Sequence, residues 1–218
     1  MISNVTSNRI FAPLAALLIA LAPSLCAAQS FEKILWAANK GDVQTVGTLL
    51  NQGLDPNTAD SDGHTLLMLA ARNGHHELIA FLISHKANIN LRSPHGDTAL
   101  MAASLKGHLE AVKVLLANGA ELNPGGWTPL HYAAFEGRPE VIKYLLDKRA
   151  DKNGLAPNGY TALMLAARNG HAAAARELLF ADADFAVRGP KGETALAIAK
   201  EKAQKDVEAL LVRAGAVE

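Results

Sequence analysis

Eight histidines give this 218-residue chain its most visible capacity for chemistry, and four of them, His64, His75, His76 and His85, fall close together. Imidazole binds metals and moves protons near neutral pH. His76-Glu77-Leu78-Ile79-Ala80 begins like a zinc-protease helix, where two histidines four apart hold the metal and the glutamate acts as base. Ala80 stands where the second histidine is needed. No G-x-S-x-G nucleophile elbow and no G-x-x-x-x-G-K-[ST] phosphate loop occurs. The carboxylates are scattered without a paired motif. Cys26, the single cysteine, lies in an apolar N-terminal stretch, so thiol catalysis and Cys-bound zinc have no basis in the rest of the chain. The expectation is therefore no enzyme, no metal and no cofactor. A hydrolase assembled from distant segments is the alternative that a linear pattern leaves open.

The elements that position these histidines repeat. Thr65-Leu-Leu-Met68, Thr98-Ala-Leu-Met101, Thr128-Pro-Leu-His131, Thr161-Ala-Leu-Met164 and Thr194-Ala-Leu-Ala197 are five copies of one phrase, with threonine steps of 33, 30, 33 and 33. A glycine precedes each threonine by two residues, and in four copies another follows by nine. A period near 33 marks a stacked-repeat solenoid. In each unit the threonine can cap a short helix, Ala70-Ala71 and their equivalents allow close helix approach, and Gly74 ends the helix. Glu77 to Ser84 then reads as a second helix, with Leu78, Ile79 and Leu82 at helical spacing.

These features resemble the ankyrin repeat, whose phrase runs roughly G-x-T-P-L-H-x-A-A-x-x-G-H, then a second helix ending in L-L and G-A-x-x-N. Residues 126–153 match best: Gly126-Trp-Thr-Pro-Leu-His-Tyr-Ala-Ala134, Gly137, Leu145-Leu146, Ala150 and Asn153. The resemblance covers about residues 31 to 218. It implies an all-α repeat solenoid: helix-turn-helix units joined by β-hairpin loops and stacked as about six repeats, with degenerate ends. Their approximate bounds are 31–60, 61–93, 94–123, 124–156, 157–189 and 190–218. Histidines 75, 108, 131 and 171 fall where the family keeps histidine for local hydrogen bonds. Met68, Met101 and Met164 replace that residue in three repeats, so the histidine's hairpin bonds should be absent there and the methionines should pack the seam. Lys86, Arg149 and Asp182 replace a glycine, at a cost of about 1 kcal/mol each if the backbone is left-handed. The step of 30 places three missing residues between Asn123 and Thr128, predicting a shortened hairpin and a notch.

Residues 1–28 stand apart. Arg9 is their only charge, Phe11 to Leu25 is apolar, and Cys26-Ala27-Ala28 offers small residues before Gln29. That is the pattern of a cleaved signal peptide; the apolar run is short for a membrane span, and Leu25 disfavours lipidation of Cys26. The domain is thus expected to be 29–218, periplasmic or secreted, with no stable membrane insertion. With 21 basic and 21 acidic residues and no basic run, nucleic acid is not an expected partner.

By the same resemblance, contacts to a protein partner come from the residue before each threonine and the pair before each inter-helix glycine. The expected binding residues are His64, Arg72, Asn73, Asp97, Leu105, Lys106, Trp127, Phe135, Glu136, Tyr160, Arg168 and Asn169, with Trp127, Phe135 and Tyr160 as aromatic anchors. The chain also resembles short exported bacterial ankyrin proteins, some associated with catalase and peroxide defence. A non-enzymatic interaction module, expected as a monomer, is the first reading. An immunity protein that neutralises a periplasm-acting toxin enzyme is the second.

Overall fold

The computed structural model describes residues 28–217, and all of its helices are short. They are α1 (28–40), α2 (Val43–Asn51), α3 (Leu66–Arg72), α4 (His76–Ser84), α5 (Ala99–Lys106), α6 (Leu109–Ala117), α7 (Pro129–Phe135), α8 (Pro139–Asp147), α9 (Ala162–Asn169), α10 (Ala172–Phe180), α11 (Ala195–Glu201) and α12 (Lys205–Arg213). The odd-numbered helices from α3 to α11 pack in one row and the even-numbered helices in another, each touching its nearest neighbours. Among the described residues, no helix is long and apolar enough to cross a membrane. The leader expected over 1–28 lies, apart from Ala28, outside the described residues.

Local chemistry sets each first helix. The threonine hydroxyls of Thr65, Thr98, Thr128 and Thr161 accept the N–H three residues on at 3.3 Å, and Thr194 does so at 3.2 Å. These bonds satisfy N–H groups that a helix start leaves open. Gly63 shows why the residue two before must be glycine: its φ is +78°, and a Cβ there would lie 2.4 Å from Pro94 Cδ of the next hairpin. Alanine pairs such as Ala70-Ala71, Ala133-Ala134 and Ala166-Ala167 are fully buried between neighbouring helices. Second-helix residues Leu78, Ile79 and Leu82 are equally buried, so one apolar core runs unbroken from Ile34 to Ala216.

Four connections close as tight turns. Asp60, Ser93, Ala156 and Gly189 each donate N–H to the carbonyl four residues on, at 2.8–2.9 Å. Only Ala59 and Thr65 pair as an isolated β-bridge among the described residues. The connection from Asn123 to Thr128 makes no such turn bond, consistent with the three missing residues. Lys86, Arg149 and Asp182 do sit in left-handed backbone, at φ +68°, +70° and +56°. Ala203 joins them at +56°, in place of an inter-helix glycine.

Asparagines couple the hairpin bases. Asn57, Asn90, Asn123 and Asn153 each accept, at 2.7–2.9 Å, a backbone N–H from the following repeat. Met68, Met101 and Met164 are buried in the seam, as expected. One expectation about them needs correction. The Met101 sulfur accepts the Thr98 N–H at 3.3 Å, so in that repeat methionine supplies one of the bonds assigned to histidine. Sulfur is a weak acceptor, but it can occupy the same place in the cap.

Candidate partner-binding groove

The first helices end at fixed heights because side chains of each repeat reach back to the preceding one. The Nε2 atoms of His75, His108 and His171 hydrogen-bond the carbonyls of Asn39, Arg72 and Phe135 at 2.9, 3.1 and 2.9 Å. Arg138 takes the equivalent place, donating from Nε to the Leu105 carbonyl at 3.1 Å. His131 is engaged on both sides. Its Nδ1 accepts the Thr128 N–H at 3.2 Å, and its Nε2 meets the Gly154 carbonyl of the next hairpin at 2.9 Å. A carbonyl can only accept, so Nε2 carries the proton. Burial holds the His131 pKa below its ordinary value. These histidines are structural members of the stack.

Asp60, Asp62 and His64 bring potential metal-ligand atoms within 4.8 Å of one another. Asp60 Oδ1 accepts the N–H groups of Asp62 and His64 at 3.0 and 2.8 Å, and Asp60 Oδ2 meets His64 Nδ1 at 3.3 Å. The trio is accounted for as a hairpin tip closed by its own acidic side chain.

A groove of about 110 Å³ opens across α3, α5 and α7. Met68, Leu69, Met101, Ala102 and Leu105 make it chiefly apolar; His64, Arg72, Asp97 and Tyr132 complete its walls. Four expected binding residues, His64, Arg72, Asp97 and Leu105, thus meet in one place. The Tyr132 hydroxyl donates to Asp97 Oδ1 of the preceding repeat. Burial, then this hydrogen bond and the Asp97 charge, push the Tyr132 pKa well above the usual tyrosine value. Trp127 packs at the edge, its ring centroid 5.4 Å from Tyr132 and 6.0 Å from His131. It is half-buried, whereas Phe135, the last residue of α7, is 39% exposed.

The remaining expected residues divide. Tyr160 and Arg168 line a second, polar depression with Lys191, Glu193 and Glu201, where the Tyr160 hydroxyl donates to Glu193 Oε1 at 3.0 Å. That bond is the main reason the Tyr160 pKa is raised; the Glu193 pKa is lowered first by a backbone hydrogen bond at Glu193 itself and then by the same tyrosine. Asn73 and Asn169 spend their side-chain amides inside the stack, on Leu69 O at 2.8 Å and on Phe135 O at 2.7 Å. Glu136 pairs with Arg138 at 3.7 Å, and Lys106 is exposed beside the groove.

Tyr132 and Trp36 were not among the expected binding residues. Tyr132 stands five residues before Gly137, as Leu69 and Ala102 stand before Gly74 and Gly107. That register position lines the groove. Trp36 stands five before Gly41, at the same position in the first repeat, and is 58% exposed. The sequence signal was available in the repeat alignment, one helical step from the positions chosen.

The family description "Ankyrin repeats (3 copies)" matches residues 34–125, 96–156 and 150–217. No curated protein matches this chain in sequence. Among solved structures, the human ASB11 ankyrin repeat domain superposes with a TM-score of 0.79 at 27% identity, over 84% of each chain. A chain in the complex of the Bd0816 predatory endopeptidase from Bdellovibrio bacteriovorus with immunity protein Bd3460 gives 0.73 at 31% identity, over 83% of this chain and 97% of that one. With the repeat pattern, the paired helix rows and these matches in agreement, the chain belongs to the ankyrin repeat family.

Proposed function

We propose that this chain is an exported, non-enzymatic binding module that occupies a protein partner through the groove across α3, α5 and α7, and that it blocks an enzyme by doing so. The observation that carries the binding part is the groove itself. It is an apolar recess with a cation and an anion on its walls; the half-buried Trp127 packs on its Tyr132 wall, and the exposed Phe135 ends the α7 helix that carries Tyr132. Such a recess with aromatic neighbours is what protein partners use as an anchor point. Similarity to a chain in the endopeptidase–immunity protein complex favours enzyme blocking over catalase support, which rests on resemblance alone. Export to a Gram-negative periplasm rests on the leader pattern of residues 1–28.

Capture from periplasmic extract tests this reading. The bait is protein purified from cells expressing the full chain, compared with its Phe135→Ala variant. The expected result is one protein retained by the wild type and lost with the variant, whose hydrolytic activity falls as the chain is added. Retention by both forms overturns the groove assignment. A retained protein whose activity is unaffected overturns enzyme blocking.

A further inference from the structure

The groove's small volume and mixed walls narrow what it can accept. About 110 Å³ suits one large aliphatic or thioether side chain. Met68, Leu69, Met101, Ala102 and Leu105 give that side chain an apolar bed. The charges at the rim are unequal. Asp97 faces the groove with one carboxylate oxygen already held by the Tyr132 hydroxyl. Arg72 lines the same groove, is exposed, and its guanidinium has no hydrogen-bond or ion-pair partner among the described residues. Lys106 adds a second exposed cation next to Leu105, also unpaired among the described residues. An excess of free positive charge beside an apolar recess complements an apolar side chain with a carboxylate next to it.

Resting on the binding role proposed above, we propose that the groove recognises an aliphatic residue followed by an acidic residue on a partner loop. The aliphatic side chain enters between α3 and α5, and the following carboxylate meets Arg72. Tyr132 closes the far wall, held in place by Asp97.

The test uses small peptides, so it does not depend on finding the partner. Ac-Leu-Glu-NH2, Ac-Leu-Gln-NH2, Ac-Ala-Glu-NH2 and N-acetylleucine are titrated into protein from cells expressing the full chain. The Trp127 indole NMR signal, assigned by substitution, reports the groove through its contact with Tyr132. The expected result is millimolar binding of Ac-Leu-Glu-NH2. The glutamine and alanine peptides should bind at least fivefold more weakly. Arg72→Gln, at an exposed position, should erase the glutamate preference, and Ala102→Leu, which fills the recess, should abolish leucine binding. Equal binding of the glutamate and glutamine peptides overturns the inference, as does equal binding of the leucine and alanine peptides. N-acetylleucine binding as tightly as Ac-Leu-Glu-NH2 places the carboxylate at a chain end and overturns the loop assignment. If these peptides fail while partner capture still depends on Phe135, this inference falls and the binding role stands.

Discussion

Tyr132 and Asp97, 35 residues apart in sequence, are joined by a hydrogen bond from the phenol to the carboxylate across the seam between two repeats. The bond needs a neutral tyrosine. Because folding raises the Tyr132 pKa, the native state keeps a proton that the unfolded chain releases near its ordinary value of 10.0. The associated stability is present below that pH and is lost as pH rises above it toward the folded value. In an alkaline absorbance titration, Tyr132→Phe should remove the last tyrosine to ionise. The variant should also lose less stability between neutral pH and strongly alkaline pH than the wild type.

His131 titrates in the opposite region. Burial holds its folded pKa below the ordinary histidine value of 6.5. The unfolded chain therefore binds a proton first as pH falls, and the stability that depends on neutral His131 is full above 6.5 and declines as pH drops toward the folded value. Methionine fills this position in three other repeats, so His131→Met tests the bond to Gly154 without emptying the site. The expected loss is about 1–2 kcal/mol at pH 7.5. Denaturant unfolding should show a smaller loss between pH 7.5 and pH 5 in the variant than in the wild type.

Among the described residues, four non-glycine residues hold left-handed backbone: Lys86, Arg149, Asp182 and Ala203. Lys86→Gly and Asp182→Gly should each raise stability by about 1 kcal/mol, since glycine adopts this conformation without a Cβ penalty. The same change at Ala80, inside α4, should lower it by about 1 kcal/mol. Thermal unfolding of the three variants measures both signs.

Ser104 is fully buried in α5, and its hydroxyl has no hydrogen-bond partner. Ala71, Ala134 and Ala167 occupy the equivalent position in other repeats. Ser104→Ala should therefore stabilise the stack by about 1 kcal/mol. An unchanged or lower unfolding midpoint would show that the hydroxyl has a partner in solution.

Phe135 and Trp127 separate binding from folding. Exposed Phe135 can be truncated with little effect on the stack, whereas Trp127 also supports Tyr132 and His131. Each alanine variant should weaken partner binding by more than ~1 kcal/mol. Only Trp127→Ala should also lower the unfolding midpoint. Unchanged affinity in both variants would remove the aromatic residues from the site.

The stack was legible in the chain because its determinants are local. Thr65 caps the residue three on, Gly63 turns the hairpin before it, and both recur in register. Left-handed Lys86 followed from a missing glycine. The site was less legible because its pairings cross repeats. Arg138 substitutes for a histidine only by reaching the Leu105 carbonyl, and Met101 only by turning its sulfur to Thr98. Tyr132 was passed over because the expected contact positions skipped one register of the first helix. Where a side chain of one repeat meets the backbone of another, composition carries no signal and geometry decides.

The asparagine series also leaves one joint of the stack unfastened. Asn57, Asn90, Asn123 and Asn153 each hold the repeat that follows, but the next position in register is Ala186. A methyl group offers no acceptor, so the unit 190–218 docks on the repeat before it without that tether. Ala186→Asn is the one-residue change that would fasten that last joint as the others are fastened.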